Sequence, residues 1–323
     1  MNLNIGIIGE PAFVRKFGKK GTESDIIFYN TRHGENTASF IYPYRYPEKL
    51  ASLLFALQLS DAVVVEIREL NAVLGEVIIA IDTANIKKGF IYLQNNIVPE
   101  QLKPLLKGTV MEGFEFTDLP PSTLIERMFN ELSSTVHEEE DTLIPIDHFF
   151  KVKGIGAVVL GIVRRGRVKK YENLILYPNK KTVTVRSIQT HDKDVNLAER
   201  GERVGLALKG INVENLSRGQ VIAQRETDIG VTEEPLLNLF LVSYWKKPVK
   251  TDMVVYLSSL MQMRSGRLLS VEEIGEKVNG KLLLRIRVKL DKPFVYHPEE
   301  RIFVAHLEGG ALRIMGSATI VEG

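Results

Sequence analysis

Apolar and polar positions change rhythm twice along the chain. Residues 4–8 (NIGII) form a short apolar run ending at Gly9, and two further runs follow at 26–30 (IIFYN) and 38–42 (ASFIY). The polar stretch Thr31–Asn36 between them, with Gly34 inside it, predicts a hairpin. Over 46–60, Leu50, Leu53, Leu54 and Leu57 recur at i, i+3, i+4 and i+7. That spacing predicts a helix with one apolar face, with Pro47 in its first turn. The run at 61–67 (DAVVVEI) reads as a strand buried on both faces. Helices around 69–80, 99–107 and 122–134 and strands at 90–94 and 113–117 repeat the unit. Strands alternating with helices predict a parallel sheet covered by helices.

The acidic run His137–Asp141 reads as a solvated linker, and from residue 146 the texture differs. Short runs rich in Val, Ile and Leu are punctuated by turn signals, as in barrels or sandwiches. A second break falls near residues 226–235. The pattern therefore predicts an α/β domain over 1–140 and two β-domains over 146–226 and 227–323.

Composition narrows the chemistry. Apolar residues make up 44% and charged residues 25% of the 323, which fits a globular protein. There are no cysteines, so disulfides, thiolate nucleophiles and Cys-based zinc sites are excluded, and a reducing cytosol fits. The first residues have no basic segment leading a long apolar one, and no window is apolar enough to span a membrane. A cytoplasmic protein without a membrane partner is expected. The six histidines show no paired metal spacing, and no Ser-His-Asp set can be argued.

Net charge is unevenly placed. Residues 1–141 hold 13 Lys+Arg against 20 Asp+Glu, residues 142–225 hold 16 against 7, and residues 226–323 hold 13 against 13. The excess of +9 in the middle segment suggests a polyanionic partner, or else a solvated basic face. In the last segment, residues 244–250 (YWKKPVK) with Arg264 and Arg267 add a local basic patch around the single tryptophan.

A phosphate loop after the first strand would need G-x-x-x-x-G-K-[ST]. Counted from Gly9, the last three positions hold Val14, Arg15 and Lys16. Counted back from Gly18–Lys19, the first glycine position holds Phe13 and the hydroxyl position Lys20. Neither register works. Gly9, Gly18, Lys19 and Lys20, with Gly21 and Thr22, remain as a nucleotide-binding remnant or as an ordinary basic loop.

Residues 146–223 closely resemble the second domain of translational GTPases of the elongation factor Tu type. The resemblance is carried in order by Val152, Gly154, Gly156, Val158 and Gly161; by Gly166–Arg167–Val168 and residues 173–178 (NLILYP); by residues 185–191 (VRSIQTH); by Ala198 to Val204; and by Leu216 to Val221. The last segment resembles the family's final barrel, ending on Leu312–Arg313–Ile314–Met315–Gly316. The start Ile146–Asp147–His148 is most similar to the selenocysteine-specific branch. There the resemblance implies an aminoacyl pocket of Asp147, His148 and Arg203, with Arg218 near the acceptor end of a transfer RNA. An Asp beside cationic groups suits recognition of a charged aminoacyl group. Asp147 and Arg203 could equally form a rim ion pair of little worth. The positive face would bind RNA through Arg164, Arg165, Arg167, Arg186, His191 and Arg218.

Against that resemblance, the family's other nucleotide motifs are missing. The D-x-x-G-H stretch is Tyr42 to Lys49, without Asp, Gly or His in place, and N-K-x-D is Asn95–Asn96–Ile97–Val98. Between Gly9 and the strands at 26–42 there is no room for a first switch segment. The expected fold is therefore a degenerate P-loop GTPase-like α/β parallel-sheet domain followed by two β-barrels. The expected function is an elongation-factor-like protein that binds tRNA or a ribosomal RNA or protein, with no cofactor and no catalysis. Its rivals are a GTPase using a noncanonical pocket, with GTP and magnesium, and a protein-interaction scaffold.

Overall fold

The computed structural model describes residues 1–132, 141–191, 193–224, 228–278 and 281–321. Most of the linker expected at 137–141, and part of the break near 226–235, lie outside the described residues.

The first seven strands are β1 (Asn2–Ile8), β2 (Lys19–Glu23), β3 (Ile27–His33), β4 (Asn36–Tyr42), β5 (Ala62–Ile67), β6 (Gly89–Leu93) and β7 (Glu115–Phe116). They form one sheet in the order β2-β3-β4-β1-β5-β6-β7. From β4 to β7 every pairing is parallel, and β2 and β3 add an antiparallel edge. The interior strand β5 is buried at all six positions, as its β-branched run predicts. Five helices accompany the sheet: α1 (Pro11–Val14), α2 (Leu50–Gln58), α3 (Ala72–Ala84), α4 (Pro99–Leu106) and α5 (Pro121–Glu131).

Three local expectations shift. The stretch read as a basic loop forms the edge strand β2. Its sequence has no apolar alternation, because both its faces are largely exposed and only the backbone of β3 recruits it. The helix expected from residue 46 begins at Leu50, and Pro47 lies in the turn before it. The next helix runs 72–84 instead of 69–80. Asn71 caps it by accepting from the Leu74 amide at 3.0 Å, and Asn85 ends it in the left-handed region at φ 57°.

Nine strands follow: β8 (Leu143–Val152), β9 (Gly156–Ile162), β10 (Arg167–Lys169), β11 (Asn173–Tyr177), β12 (Lys181–Thr190), β13 (Lys193–Val195), β14 (Leu197–Glu199), β15 (Arg203–Lys209) and β16 (Val221–Ala223). Six close a barrel in the order β11-β16-β8-β9-β15-β12, sealed by β11 pairing with β12. The last eight are β17 (Gly230–Thr232), β18 (Leu236–Leu241), β19 (Val254–Ser259), β20 (Gln262–Val278), β21 (Lys281–Leu290), β22 (Phe294–Tyr296), β23 (Ile302–Ala305) and β24 (Ile314–Ile320). Here β18-β21-β20-β19-β23-β24 close a second barrel. The fold is a parallel-sheet domain followed by two six-stranded barrels, as the sequence pattern implies. Trp245 is buried, edge-on to His306 with ring centroids 6.1 Å apart. Among the described residues no helix is long and apolar enough to cross a membrane, and no cluster of three or more metal-ligating side chains occurs.

Candidate functional site

The turn after β1 is where a parallel sheet presents backbone amides to a ligand. Here it is filled from within. The Glu10 amide donates to Glu66 Oε2 at 2.9 Å, and the Glu66 side chain is buried at the end of β5. A Cβ added to Gly9 would lie 2.8 Å from Glu66 Cβ and 3.0 Å from the Phe13 ring. Phe13 packs edge-on to Phe17 and Tyr92, each at 5.0 Å between centroids, and Phe17 packs on Phe40 at 5.0 Å. Instead of a long phosphate-bearing helix, the turn leads into the four residues of α1 and a further short turn. After β6, Asn95 and Asn96 both take positive φ, and Asn95 Nδ2 donates to the Arg68 carbonyl at 3.1 Å. The surviving asparagine thus ties one turn to another.

Of the remnant residues, Gly9 lies in this filled turn and the others do not. A Cβ on Gly18 would meet the Asn30 carbonyl at 2.6 Å, so its lack of a side chain lets the chain enter β2 beside β3. Lys19 and Lys20 lie on β2, away from the turn, and line a cleft of about 650 Å³ between the sheet edge and the first barrel, with Lys20 Nζ bridged to Glu23 at 2.6 Å. That cleft is lined by Lys19 to Thr22 and Asn30 on one side and by Phe150, Ile155, Gln189, His191 and Arg203 on the other. Phe150 and Ile155 are exposed. Arg186 stands beside it, donating to the Ile155 carbonyl at 3.0 Å.

Asp147, His148 and Arg203 are brought together, chiefly onto one another. Asp147 is 3% exposed. Arg203 grips it with two bonds, Nη1 to Oδ2 at 2.6 Å and Nη2 to Oδ1 at 3.0 Å. His148 Nδ1 lies 2.6 Å from Oδ1. Burial pushes the Asp147 carboxyl up, but the Arg203 charge and the bonds from His148 and Arg203 more than offset this and hold it below the ordinary value. The Arg203 guanidinium lies 3.5 Å over the Phe28 ring, and Nη2 reaches Thr22 Oγ1 at 3.4 Å. Both partners belong to the N-terminal sheet.

The other nominated RNA-binding residues divide in two. Arg164 sits 3.8 Å from Asp61 and 3.5 Å from Glu300, so it bridges the sheet domain and the last barrel. Arg165 pairs with Glu299. Arg218 pairs with Asp25 and lies 4.6 Å over the Phe55 ring. These three stand at the joints between domains. Arg167, Arg186 and His191 are exposed on the barrel surface.

One network was not singled out in the sequence. Glu76, 3% exposed on α3, accepts from Arg313 Nη2 at 2.5 Å and Nε at 3.1 Å, and from the Tyr46 hydroxyl at 3.1 Å. Arg313 Nη1 also donates to the Pro47 carbonyl at 2.9 Å. The available signal was a glutamate inside an otherwise apolar helix face.

Comparison with known proteins agrees with this architecture. Residues 156–223 match the family described as elongation factor Tu domain 2. An uncharacterized protein of Methanocaldococcus jannaschii is 33% identical over 97% of this chain and 98% of its own length. The selenocysteine-specific elongation factor of the same organism is 29% identical over 55% of this chain, which spans only 41% of that relative. Among solved structures, translation elongation factor SelB of Methanococcus maripaludis, in complex with the GTP analogue GppNHp, superposes with a TM-score of 0.82 at 19% identity, over 99% of this chain and 79% of that one.

Proposed function

The chain belongs to the translational GTPase family of the elongation factor Tu and SelB type, and we propose that it is a member whose first domain no longer switches on a nucleotide. It would serve translation in the cytoplasm by binding tRNA or a ribosomal RNA through the cleft beside β2. The observation that carries this reading is the filled turn after β1. A phosphate arriving there would meet the Glu66 carboxylate on the amide it needs, so like charges would oppose each other in a buried site. The Phe13, Phe17 and Tyr92 rings occupy the space beside it. For RNA, support comes from the middle segment's excess of +9 and from exposed Phe150 beside Lys19 and Lys20, a basic wall with an aromatic face.

Two measurements test the reading. Calorimetric titration with GTP and magnesium should give no heat of binding, and micromolar, GTP-selective binding would restore the switch. Gel shifts with tRNA should weaken steeply with salt, because neutralised phosphates release counterions. Lys19→Ala with Lys20→Ala should weaken every RNA alike and flatten the salt slope by about two. If no RNA is retained at low salt, a protein-binding role takes the place of this one.

A further inference from the structure

We infer that the Asp147–Arg203 pair is a joint holding the first barrel to the N-terminal sheet, and that the cleft beside it takes RNA without reading an esterified amino acid. The second half rests on the RNA-binding reading above, and the first half does not.

An amino acid esterified to RNA presents an ammonium group, which needs a carboxylate or several oxygens to receive it. The one buried carboxylate nearby is committed. Both Asp147 oxygens accept from Arg203, and one also faces His148 Nδ1 at 2.6 Å. Arg203 is in turn pinned from the far side by Phe28 at 3.5 Å and Thr22 at 3.4 Å. An incoming ammonium would have to displace a guanidinium held by two domains.

The cleft itself is unsuited to that charge. Neither Asp147 nor His148 lines it, and among the described residues its wall has no Asp or Glu. Lys19, Lys20 and Arg203 do line it, Lys20 bridged to Glu23 at 2.6 Å and Arg203 to Asp147 at 2.6 Å. Cations thus outnumber carboxylates along the wall itself, which favours a phosphodiester chain over an ammonium. Phe150 and Ile155 offer flat apolar surface to unpaired bases.

Filter binding of one tRNA in deacylated, aminoacylated and N-acetylaminoacylated forms, at low and at moderate salt, tests the second half. The inference expects the deacylated and N-acetylated forms to bind within about twofold of the charged form, or tighter. A charged form bound about tenfold tighter than both others would overturn it. Loss of all three forms at low salt would overturn the RNA reading and this half with it, a pattern distinct from charged-only binding. The joint is tested separately. Thr22→Val removes one sheet-side contact of Arg203, Phe28→Leu removes the ring beneath it and also thins the buried cluster around it, and Arg203→Met removes the pair. Each should lower the melting temperature, Arg203→Met most. The ratio of charged to uncharged affinity should stay fixed in the Phe28 and Thr22 variants. Unchanged melting in all three, or a ratio that moves about tenfold, would overturn the joint.

Discussion

At the scale of single residues, buried charges decide what this chain tolerates. Glu76 is 3% exposed, and loss of the Arg313 side chain would leave its charge, among the described residues, only the Arg313 backbone amide and the Tyr46 hydroxyl. Breaking a buried pair leaves an uncompensated charge, so Arg313→Met should cost about 3–5 kcal/mol, read as a lower urea midpoint with an unchanged slope. Glu76→Gln with Arg313→Met should cost less than Arg313→Met alone, since no bare charge remains; an equal or larger loss would refute this account. Asp147 and Asp25 give the pH dependence. At Asp25 burial again pushes the carboxyl up, and Arg218 more than compensates, so both carboxyls sit below their ordinary value. A depressed carboxyl contributes stability that is fully present above its unfolded value and lost as pH falls through its folded one. Stability should therefore fall below about pH 4, and Asp147→Asn should make that fall shallower in acid titrations followed by circular dichroism. A fall of equal steepness in the variant would show that Asp147 is not the group lost. Residue types at positions 147 and 203, and their pairing as one of two readings, were legible in the sequence. The burial of that pair was not, because Thr22 and Phe28 meet Arg203 only once the sheet and the barrel dock.

At the scale of elements, the legible parts were those with a strong period. The leucine face of α2, the β-branched run of β5 and the glycine-punctuated strands of the first barrel each repeat at the spacing of their structure. What stayed illegible was set by neighbours. The edge strand β2 has no period of its own, and the fate of the turn after β1 depended on Glu66, more than fifty residues away. The missing glycine, lysine and hydroxyl were plain in the sequence, but the carboxylate standing in their place was not. That arrangement makes a further prediction. Phe13→Ala should remove a ring packed on Phe17 and Tyr92 and cost about 3–5 kcal/mol. It should still bind no GTP, because the Glu66 carboxylate stays on the Glu10 amide. GTP binding gained by Phe13→Ala in calorimetry would show that bulk alone, without charge, closes the turn.

At the scale of the whole molecule, apolar clusters run across the seams between the three parts. Leu53 and Ile78 of the helices lie in one continuous apolar cluster with Leu257, Phe303 and Ile314 of the last barrel. Phe28, Phe55, Ile162 and Met261 form a second cluster where all three domains meet, and Leu143 packs with Leu260 and Val295 in a third. Polar contacts seal the same seams. Gln58 donates to Ser258 Oγ at 2.8 Å and accepts from the Met261 amide at 3.0 Å, and Asn4 donates to the Gly201 carbonyl at 2.9 Å. Pulling any part away would expose apolar surface and strand charges such as Glu76 together, so the parts should not come apart separately. We therefore expect calorimetry to show one unfolding transition, with calorimetric and van't Hoff enthalpies in agreement, although three domains would ordinarily give more than one. The same melt distinguishes a locked molecule from a switch. A ligand that binds only the folded state at a hundred times its dissociation constant would add about 2.7 kcal/mol and raise the melting temperature visibly. GTP or GDP with magnesium should leave it unmoved. A split transition would show that the seams are weaker than the cores they join, and an upward shift with GTP alone would return the first domain to the switches it resembles.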